Sequence, residues 1–318
     1  MTTARPRLAL VGAGAMGSNH ARVIAESDVA ELAVIIDIDE ARGRALAGRF
    51  DCDYAPELDA ARGCDAAVVA TPTRAHPEQA AALLEAGLPL LVEKPLAPSI
   101  DESRAMVADA TRRGLPLMCG FVERFNPAVT TVAGLLVERP VHMVSLRHSP
   151  ATPRTTLSVV FDLLIHDIDL TLRYACPQRL PRVASSLTQA GTEITEVADC
   201  VLDFDGALVA TLSSSRASQR KVRTHMIETP AALYDVDLLR QDVTVYQHRA
   251  HGLIGGPTPS YRAETVVDIP FVRHGGEPLL LQLRHFVALI EGRVDAAAER
   301  DGILPAHEVA ALVENGAR

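Results

Sequence analysis

Short apolar runs alternate with helix-type patterns over residues 7–120 of the chain. The runs have the length of strands and lack an apolar/polar alternation, which is typical of strands buried on both faces. They lie at 8–11, 31–36, 66–70, 89–92 and 117–119. Helical patterns fill the intervals at 16–26, 39–50, 76–86 and 99–113. This β-α-β-α order predicts a Rossmann domain over residues 1–121, with a doubly wound parallel sheet.

The pattern changes after about residue 121, and strand-type segments then dominate. They lie at 141–147, 183–189, 198–204, 207–213, 223–228, 233–238, 243–248 and 265–269. Helical patterns interrupt them at 157–174, 279–291 and 307–314. Turn signals such as Asp205-Gly206 separate neighbouring segments. We therefore expect a second, α+β domain over residues 122–318, with a large, open, mostly antiparallel sheet.

A glycine motif joins the first predicted strand to the first predicted helix. It is a GxGxxG pattern made of Gly12, Gly14 and Gly17, with Ala15 and Met16 inside it. The first glycine allows a tight turn, the second lets the backbone approach a pyrophosphate, and the third lets the helix pack closely. The helix N-terminus offers its N–H groups to that anion. In this strand-to-helix context the motif predicts dinucleotide binding.

Asp37 and Arg42 bear on which dinucleotide is bound. Asp37 ends the second predicted strand, 20 residues after Gly17, where a carboxylate can accept hydrogen bonds from the adenosine ribose hydroxyls. The same carboxylate would repel a 2′-phosphate, so NAD is favoured over NADP. Arg42 is the rival signal, and we interpret it as an arginine that stacks on adenine or is solvated.

Composition narrows the class of protein. The formal net charge of −9, without a basic block, disfavours nucleic acid and anionic membranes as partners. No apolar run reaches about 18 residues, and the first residues do not form a signal peptide. The five cysteines contain no CxxC pair, which argues against disulfides and a zinc site. We expect a cytoplasmic protein that acts on a small molecule.

Lys94 stands out because the chain uses arginine almost everywhere else. Only Lys94 and Lys221 are lysines among 31 basic residues. Lys94 lies in Glu93-Lys94-Pro95, directly after the fourth predicted strand, at the sheet edge where ligands of open α/β folds bind. An ammonium can donate a hydrogen bond to a single oxygen and can change its protonation state. Lys94 is therefore a candidate catalytic residue, the alternative being an ordinary surface lysine.

Asp162 and His166 lie four residues apart in a predicted helix, so both project from one face. Oxidation of an alcohol needs a group that accepts the hydroxyl proton as hydride leaves the carbon, and a histidine suits that task. The alternative is a structural Asp–His pair. Asp167 and Asp169 follow in His-Asp-x-Asp order, but no further ligand cluster accompanies them, so we expect no metal.

Taken together, these motifs resemble those of the Gfo/Idh/MocA superfamily over essentially the whole chain. The segments that carry the resemblance are the glycine motif with His20, Ala70-Thr71-Pro72-Thr73 with His76, Glu93-Lys94-Pro95, and Asp162 with His166. The resemblance implies that Lys94 orients and polarises the reacting hydroxyl, that His166 is the acid/base, and that Asp162 steadies it. It also implies a cis peptide bond between Lys94 and Pro95.

The resemblance further implies which residues surround the ligands. Beside the cofactor it places Thr71, Pro72, His76 and Glu93, together with Lys94. It places in the substrate cleft Arg124, Asn126 and Arg154, together with Lys94, Asp162 and His166. Arginine forks suit recognition of a diphosphate, and the alternative for these cleft residues is a salt bridge between the two domains.

The expected activity is NAD-dependent oxidation of a sugar. Residues 120–127 and 147–154 look most like those of family members that oxidise the 3-hydroxyl of UDP-N-acetylhexosamines. One alternative substrate is a cyclitol, amino sugar or aminoglycoside precursor without a diphosphate. An alternative of another class is a non-catalytic NAD-binding regulator or scaffold. We also expect a homodimer or homotetramer formed through the C-terminal sheet.

Overall fold

The computed structural model describes residues 5–151, 157–254 and 260–316. The chain divides into two compact units. The first consists of Met1–Val122 and Gly276–Glu308, and the second of Glu123–Gly275 and Val309–Arg318. The break at Val122 lies one residue from the predicted boundary. The prediction differs from the structure for 276–308, which it assigned to the second domain.

The first unit contains a six-stranded parallel sheet, which confirms the predicted Rossmann architecture. Its strands are β1 (Arg7–Val11), β2 (Glu31–Ile36), β3 (Asp53–Ala55), β4 (Ala66–Val69), β5 (Leu90–Val92) and β6 (Leu117–Cys119). They are ordered β3-β2-β1-β4-β5-β6. Because the order reverses between β1 and β4, the carboxyl ends of these two strands flank the crevice where such sheets bind ligands.

Helices connect these strands and cover the sheet. They are α1 (Ala15–Glu26), α2 (Glu40–Phe50), α3 (His76–Glu85) and α4 (Ile100–Arg113). Local chemistry fixes the helix ends: the Ser99 side chain accepts a hydrogen bond from the Glu102 amide at the start of α4, and Gly114 ends α4 in the left-handed conformation. The predicted helices are found within one or two residues of these bounds.

The second unit is built on an eight-stranded sheet. Its strands are β7 (His142–His148), β8 (Arg182–Thr188), β9 (Val197–Asp203), β10 (Val209–Ser215), β11 (Val222–Glu228), β12 (Leu233–Asp237), β13 (Asp242–Ile254) and β14 (Ser260–Asp268). They are ordered β14-β13-β12-β11-β7-β10-β9-β8. Only β7 and β10 pair in parallel within the described part of the sheet. The mostly antiparallel α+β prediction is confirmed.

Two helices of the second unit lie against this sheet, α5 (Pro127–Leu135) and α6 (Ile165–Ala175). The sequence predicted one continuous helix over 157–174. In the structure a π-helical turn, Val160–Leu164, comes first, and α6 continues from it. Asp162 therefore lies in the π-helical turn and His166 in α6. π-Helical turns are frequent at functional sites.

The chain then returns to the first unit. It forms α7 (Pro278–Ile290), α8 (Ala296–Asp301) and α9 (Leu304–Glu314), which crosses the boundary between the units after Glu308. Helix α7 packs on α1 and buries Leu283, Phe286 and Leu289. This apolar face explains why 276–308 belongs with the parallel sheet. No helix in the described residues is both long enough and apolar enough to cross a membrane.

Candidate active site

The glycine turn after β1 is shaped by close backbone contacts. Gly12 has φ +101°, and a Cβ there would lie 2.7 Å from the Ala70 carbonyl oxygen. A Cβ on Gly17 would lie 1.9 Å from the Gly12 carbonyl oxygen, so only glycine fits at this position in the first turn of α1. A Cβ on Gly14 would meet nothing within 4 Å. Gly12 and Gly17 thus serve the protein's own packing, whereas Gly14 borders open space at the N-terminus of α1.

Asp37 is buried at the end of β2, and two backbone amides and one arginine hold its carboxylate. Its Oδ2 accepts a hydrogen bond from the Ala13 amide at 2.6 Å, and its Oδ1 accepts one from the Asp39 amide at 2.8 Å. Arg42 adds a fork, with Nη2 2.8 Å from Oδ1 and Nε 3.3 Å from Oδ2. Burial raises the pKa of Asp37, but these hydrogen bonds outweigh it, and the pKa lies below its usual value. Asp37 is therefore ionised near neutral pH, and Arg42 is an ion-pair partner that keeps half of its side chain exposed.

The turn that carries Lys94 rests on a buried pair formed by Glu93 and His20. Nε2 of His20 in α1 lies 2.8 Å from Oε1 of Glu93, and both side chains are almost fully buried. The other carboxylate oxygen, Oε2, accepts a hydrogen bond from the Lys94 amide at 3.2 Å. A Cβ on Gly120 would lie 2.7 Å from this oxygen, so glycine leaves room for the carboxylate. The Lys94–Pro95 peptide bond is cis, which confirms that expectation.

Two more buried histidines hold the same turn. Nδ1 of His76 lies 3.2 Å from the Pro95 carbonyl oxygen, and Nε2 lies 2.9 Å from that of Thr71. Burial lowers the pKa of His76 more than these carbonyl groups raise it. His307 in α9 accepts a hydrogen bond from the Leu96 amide. We call His20, His76 and His307 the histidine clamp of the Lys94 turn, and all three belong to the first unit.

The loop after β4 is ordered by its own polar contacts. The Thr71 hydroxyl donates a hydrogen bond to Oε1 of Gln79 in α3 at 2.6 Å, while the Thr71 carbonyl oxygen faces His76. Pro72 is exposed and precedes a short 3₁₀ turn, Thr73–Ala75. These contacts place Thr71, Pro72 and His76 at the carboxyl edge of the parallel sheet, near the glycine turn. Their contacts with the cofactor remain predictions.

In the second unit, Asp162 and His166 lie one turn apart across the junction of the π-helical turn and α6. His166 is buried, and the Asp162 side chain is 29% exposed. Nη1 of Arg216 lies 3.2 Å from Oδ2 of Asp162. The structure thus keeps the predicted pair on one stretch of helix and adds an arginine that the sequence did not point to.

The predicted substrate residues Arg124 and Asn126 have partners within the second unit. Arg124 is buried and forks onto Asp169 of α6, at 2.8 Å from Nε and 2.6 Å from Nη2. The Asn126 side chain caps α5 by accepting from the Ala128 amide, and its amide group donates to Glu123 and to the Leu238 carbonyl oxygen. These contacts give both residues a structural role, and their contact with substrate remains a prediction. Arg154 lies outside the described residues.

A buried ionic network ties α6 to the sheet. Arg147 on β7 is fully buried between Asp167, at 2.9 Å from Nε, and Glu123, at 2.9 Å from Nη1. Asp167 also lies 3.0 Å from Nε2 of His225. Burial raises the pKa of Glu123 and of Asp167, but Arg147 and the other donors lower both pKa values below their usual range. The network fixes the helix that carries His166.

The first unit fits a dinucleotide on its geometry. The glycine turn leaves open space at Gly14, the N-terminus of α1 has no side-chain cap, and an ionised Asp37 lies at the end of the neighbouring strand. Among the described residues, no group of three His, Cys, Asp or Glu side chains could hold a metal ion.

Comparison with known proteins identifies the family to which the chain belongs. A model of an oxidoreductase family with an NAD-binding Rossmann fold matches residues 6–121. An inositol 2-dehydrogenase of Rhodococcus erythropolis is 30% identical over 257 residues, which cover 74% of each chain. The chain belongs to the Gfo/Idh/MocA oxidoreductase family. As a member of that family it is an NAD-binding oxidoreductase, which confirms the predicted cofactor.

Two further similarities within the Gfo/Idh/MocA family extend over most of the chain. A UDP-N-acetylglucosamine 3-dehydrogenase of Acidithiobacillus ferrooxidans is 29% identical over 262 residues, or 82% of each chain. A solved structure of the Acidithiobacillus ferrooxidans UDP-N-acetylglucosamine 3-dehydrogenase GnnA has a TM-score of 0.84 and 27% identity. It covers 99% of this chain and 100% of its own. The similarity therefore includes the second unit.

Proposed function

We propose that the protein is an NAD-dependent dehydrogenase that oxidises the C3 hydroxyl of a UDP-N-acetylhexosamine. The observation that carries the proposal is the similarity to a UDP-N-acetylglucosamine 3-dehydrogenase over 82% of both chains. Lys94, Asp162 and His166 are all present in this chain, at the positions where the family resemblance expects catalytic groups. A scaffold that had lost catalysis would have no need to keep this set.

The side chains divide the reaction between them. Bound NAD supplies the hydride acceptor. Lys94 donates a hydrogen bond to the reacting hydroxyl oxygen and so orients and polarises it, and His166 accepts the hydroxyl proton as the carbonyl forms. The histidine clamp holds the backbone of the Lys94 turn, and the ionic network around Asp167 holds α6, so each catalytic side chain projects from a rigid support.

A second candidate function, oxidation of a cyclitol, has its own support. The inositol 2-dehydrogenase of Rhodococcus erythropolis reaches 30% identity over 74% of both chains. In addition, the fork of Arg124, which was expected to suit a diphosphate, is engaged by Asp169. The two candidates differ in whether the substrate carries a charged diphosphate, and that difference is directly measurable.

A substrate panel distinguishes these functions. Purified protein is mixed with NAD and with UDP-N-acetylglucosamine, UDP-N-acetylgalactosamine, N-acetylglucosamine or myo-inositol, and NADH formation is followed. The proposal expects turnover of a UDP-sugar and little turnover of the free sugar. Turnover of myo-inositol alone would establish the cyclitol function. Binding of NAD without turnover of any compound would favour the regulator. His166→Asn, which retains the cofactor unit, is the control for contaminating activity.

We also propose that a second copy of the chain covers the open face of the eight-stranded sheet. Val201, Thr211, Val144 and Met226 lie in register across β9, β10, β7 and β11. Val201 is 40% exposed and Met226 36% exposed, and Leu146 and Val209 on the same face are similarly exposed. Apolar side chains that are exposed close together on one sheet face are typical of an interface. Sedimentation should show a dimer or tetramer that Met226→Glu weakens and that Glu193→Gln, in the exposed loop between β8 and β9, leaves intact.

A further inference from the structure

Arg216 is a fully buried arginine that follows β10 and contacts the Asp162 side chain. Only 2% of its surface is exposed. Nη1 lies 3.2 Å from Oδ2 of Asp162, and Nε lies 2.9 Å from Oε2 of Glu196. Nη2 donates to the carbonyl oxygens of Leu157 and Thr195, at 2.7 and 3.1 Å. One guanidinium thus joins two carboxylates and two stretches of backbone.

The chemistry of these contacts requires arginine. Its planar group has five N–H donors in a fixed arrangement, whereas a lysine ammonium at this place could not reach both carboxylates and both carbonyl oxygens. The Glu196 contact seats the guanidinium, and the Leu157 contact fixes the backbone that leads into the π-helical turn. The remaining arm is directed at Asp162, whose side chain is 29% exposed.

We propose that Arg216 is a positioning residue that acts through Asp162. It holds the Asp162 carboxylate and the π-helical turn in one arrangement, and Asp162 in turn steadies His166 one turn later. The inference rests on the proposed function, because it assigns Arg216 to the same reaction. Arg216 contacts neither substrate nor cofactor in this assignment, so its loss affects the chemical step and leaves cofactor binding unchanged.

A double-mutant cycle tests this route of action. Wild type, Arg216→Lys, Arg216→Met, Asp162→Asn and the corresponding double variants are compared for kcat and for the KM of sugar and of NAD. Since a small misplacement of a catalytic group can cost about 100-fold, we expect Arg216→Met to lower kcat by about 10- to 100-fold, with the KM for NAD within about twofold. Arg216→Lys, which keeps the charge but loses the fork, should lie between.

The decisive measurement is the further loss of kcat when Arg216 is replaced in the Asp162→Asn variant. Because Arg216 acts through Asp162, Arg216→Met or Arg216→Lys should lower the kcat of that variant by less than about threefold. An equal loss in both backgrounds would overturn the inference, and so would an unchanged kcat in a folded Arg216→Lys protein. Arg182→Met is the matched control, because Arg182 is an exposed arginine of the same sheet that pairs with Asp203; it should retain wild-type kcat.

A second readout does not depend on turnover. The His166 ring C–H resonance, assigned with His166→Asn among the 11 histidines, reports the surroundings of the imidazole. The chemical shift of this resonance should change in Arg216→Lys and Asp162→Asn and should not change in Arg182→Met. If the wild type oxidises no sugar but the resonance moves, the proposed function fails and the coupling of Arg216 to His166 stands. A resonance that does not move in Arg216→Lys refutes the coupling whatever the substrate.

Discussion

The amide of Leu96 donates a hydrogen bond to Nε2 of His307, 2.9 Å away and 211 residues later in the chain. Nδ1 of His307 lies 2.9 Å from the Ile303 carbonyl oxygen. Since Nε2 accepts, Nδ1 must carry the proton and donate, which fixes a neutral tautomer. The turn of Lys94 thereby has supports from α1, α3 and α9, and its position depends on distant parts of the first unit.

Replacing His307 should loosen the Lys94 turn. His307→Leu leaves the buried Leu96 amide without an acceptor, which costs about 1 to 3 kcal/mol of unfolding free energy. We expect that loss in urea unfolding, together with a fall in kcat and a nearly unchanged Kd for NAD. His307→Gln can still offer a carbonyl oxygen and should recover part of both losses. A leucine variant as stable and active as the wild type would remove His307 from the clamp.

Lys94→Arg tests whether Lys94 acts in the reaction. The substitution keeps the positive charge but replaces a compact donor by a rigid fork, so kcat should fall by about 100-fold or more. The variant should remain folded, and its Kd for the cofactor, measured by NADH fluorescence, should be unchanged. Lys221→Arg, at the other lysine of the chain, is the matched control and should be active. Near-normal turnover of Lys94→Arg would make Lys94 an ordinary surface lysine.

Asp37→Ala should weaken cofactor binding much more than catalysis. The carboxylate contact with the ribose is the same in ground and transition states, so its loss raises the Kd for NAD, by about 10-fold or more, with little change of kcat at saturating NAD. The variant should also discriminate less against NADP, because the repulsion of a 2′-phosphate is removed. Asp59→Ala, at an exposed position of the same unit, controls for the loss of one charge.

His166→Asn should be less active than Asp162→Asn. Replacing the acid/base removes the proton acceptor, which should lower kcat by a factor of about 100 to 10,000. A neighbouring carboxylate only steadies the ring, so the asparagine variant at 162 should keep some activity. In the wild type the oxidation rate should rise with pH as the imidazole deprotonates, and His166→Asn should lose that limb. If the order of the two losses were reversed, Lys94 would become the better candidate for the proton acceptor.

Acid should destabilise the second unit through Glu123 and Asp167. Their pKa values are lowered in the folded protein, so below about pH 4 the unfolded chain binds more protons than the folded one. The stability that they contribute is present above that pH and is lost as pH falls. Asp167→Asn should lower Tm at neutral pH, and its difference from wild type should shrink in acid. Glu193→Gln, at an exposed loop carboxylate of the same unit, should show neither effect.

The motifs that were found from sequence are those whose chemistry is local. The signal is local for the glycine turn, for Asp37 at a strand end and for Lys94 directly after a strand, and the arginine-rich composition of the whole chain added to the signal of Lys94. The fold class followed from periodicity, and only short elements such as β3 and α5 escaped it. Asn126-Pro127 was in fact a start signal for α5, since asparagine caps the helix and proline occupies its first turn.

The missed contacts depend on side chains that are far apart in sequence. Nothing near Arg216 indicates that it meets Asp162, 54 residues earlier, or that His307 reaches Leu96. The resemblance places Arg124 in the substrate cleft, with a salt bridge as the alternative, and the structure shows a salt bridge to Asp169 within the second unit. The assignment of 276–308 failed because a helical pattern shows which face is apolar and not which partner covers it.

The return of 276–308 to the first unit has a consequence for how the protein is made. All six strands of the parallel sheet and the glycine turn lie before residue 122. The third support of the Lys94 turn, His307, follows only after residues 123–275 of the second unit. During synthesis the Lys94 turn is therefore among the last parts of the first unit to receive its full set of contacts, although its own residues are made early.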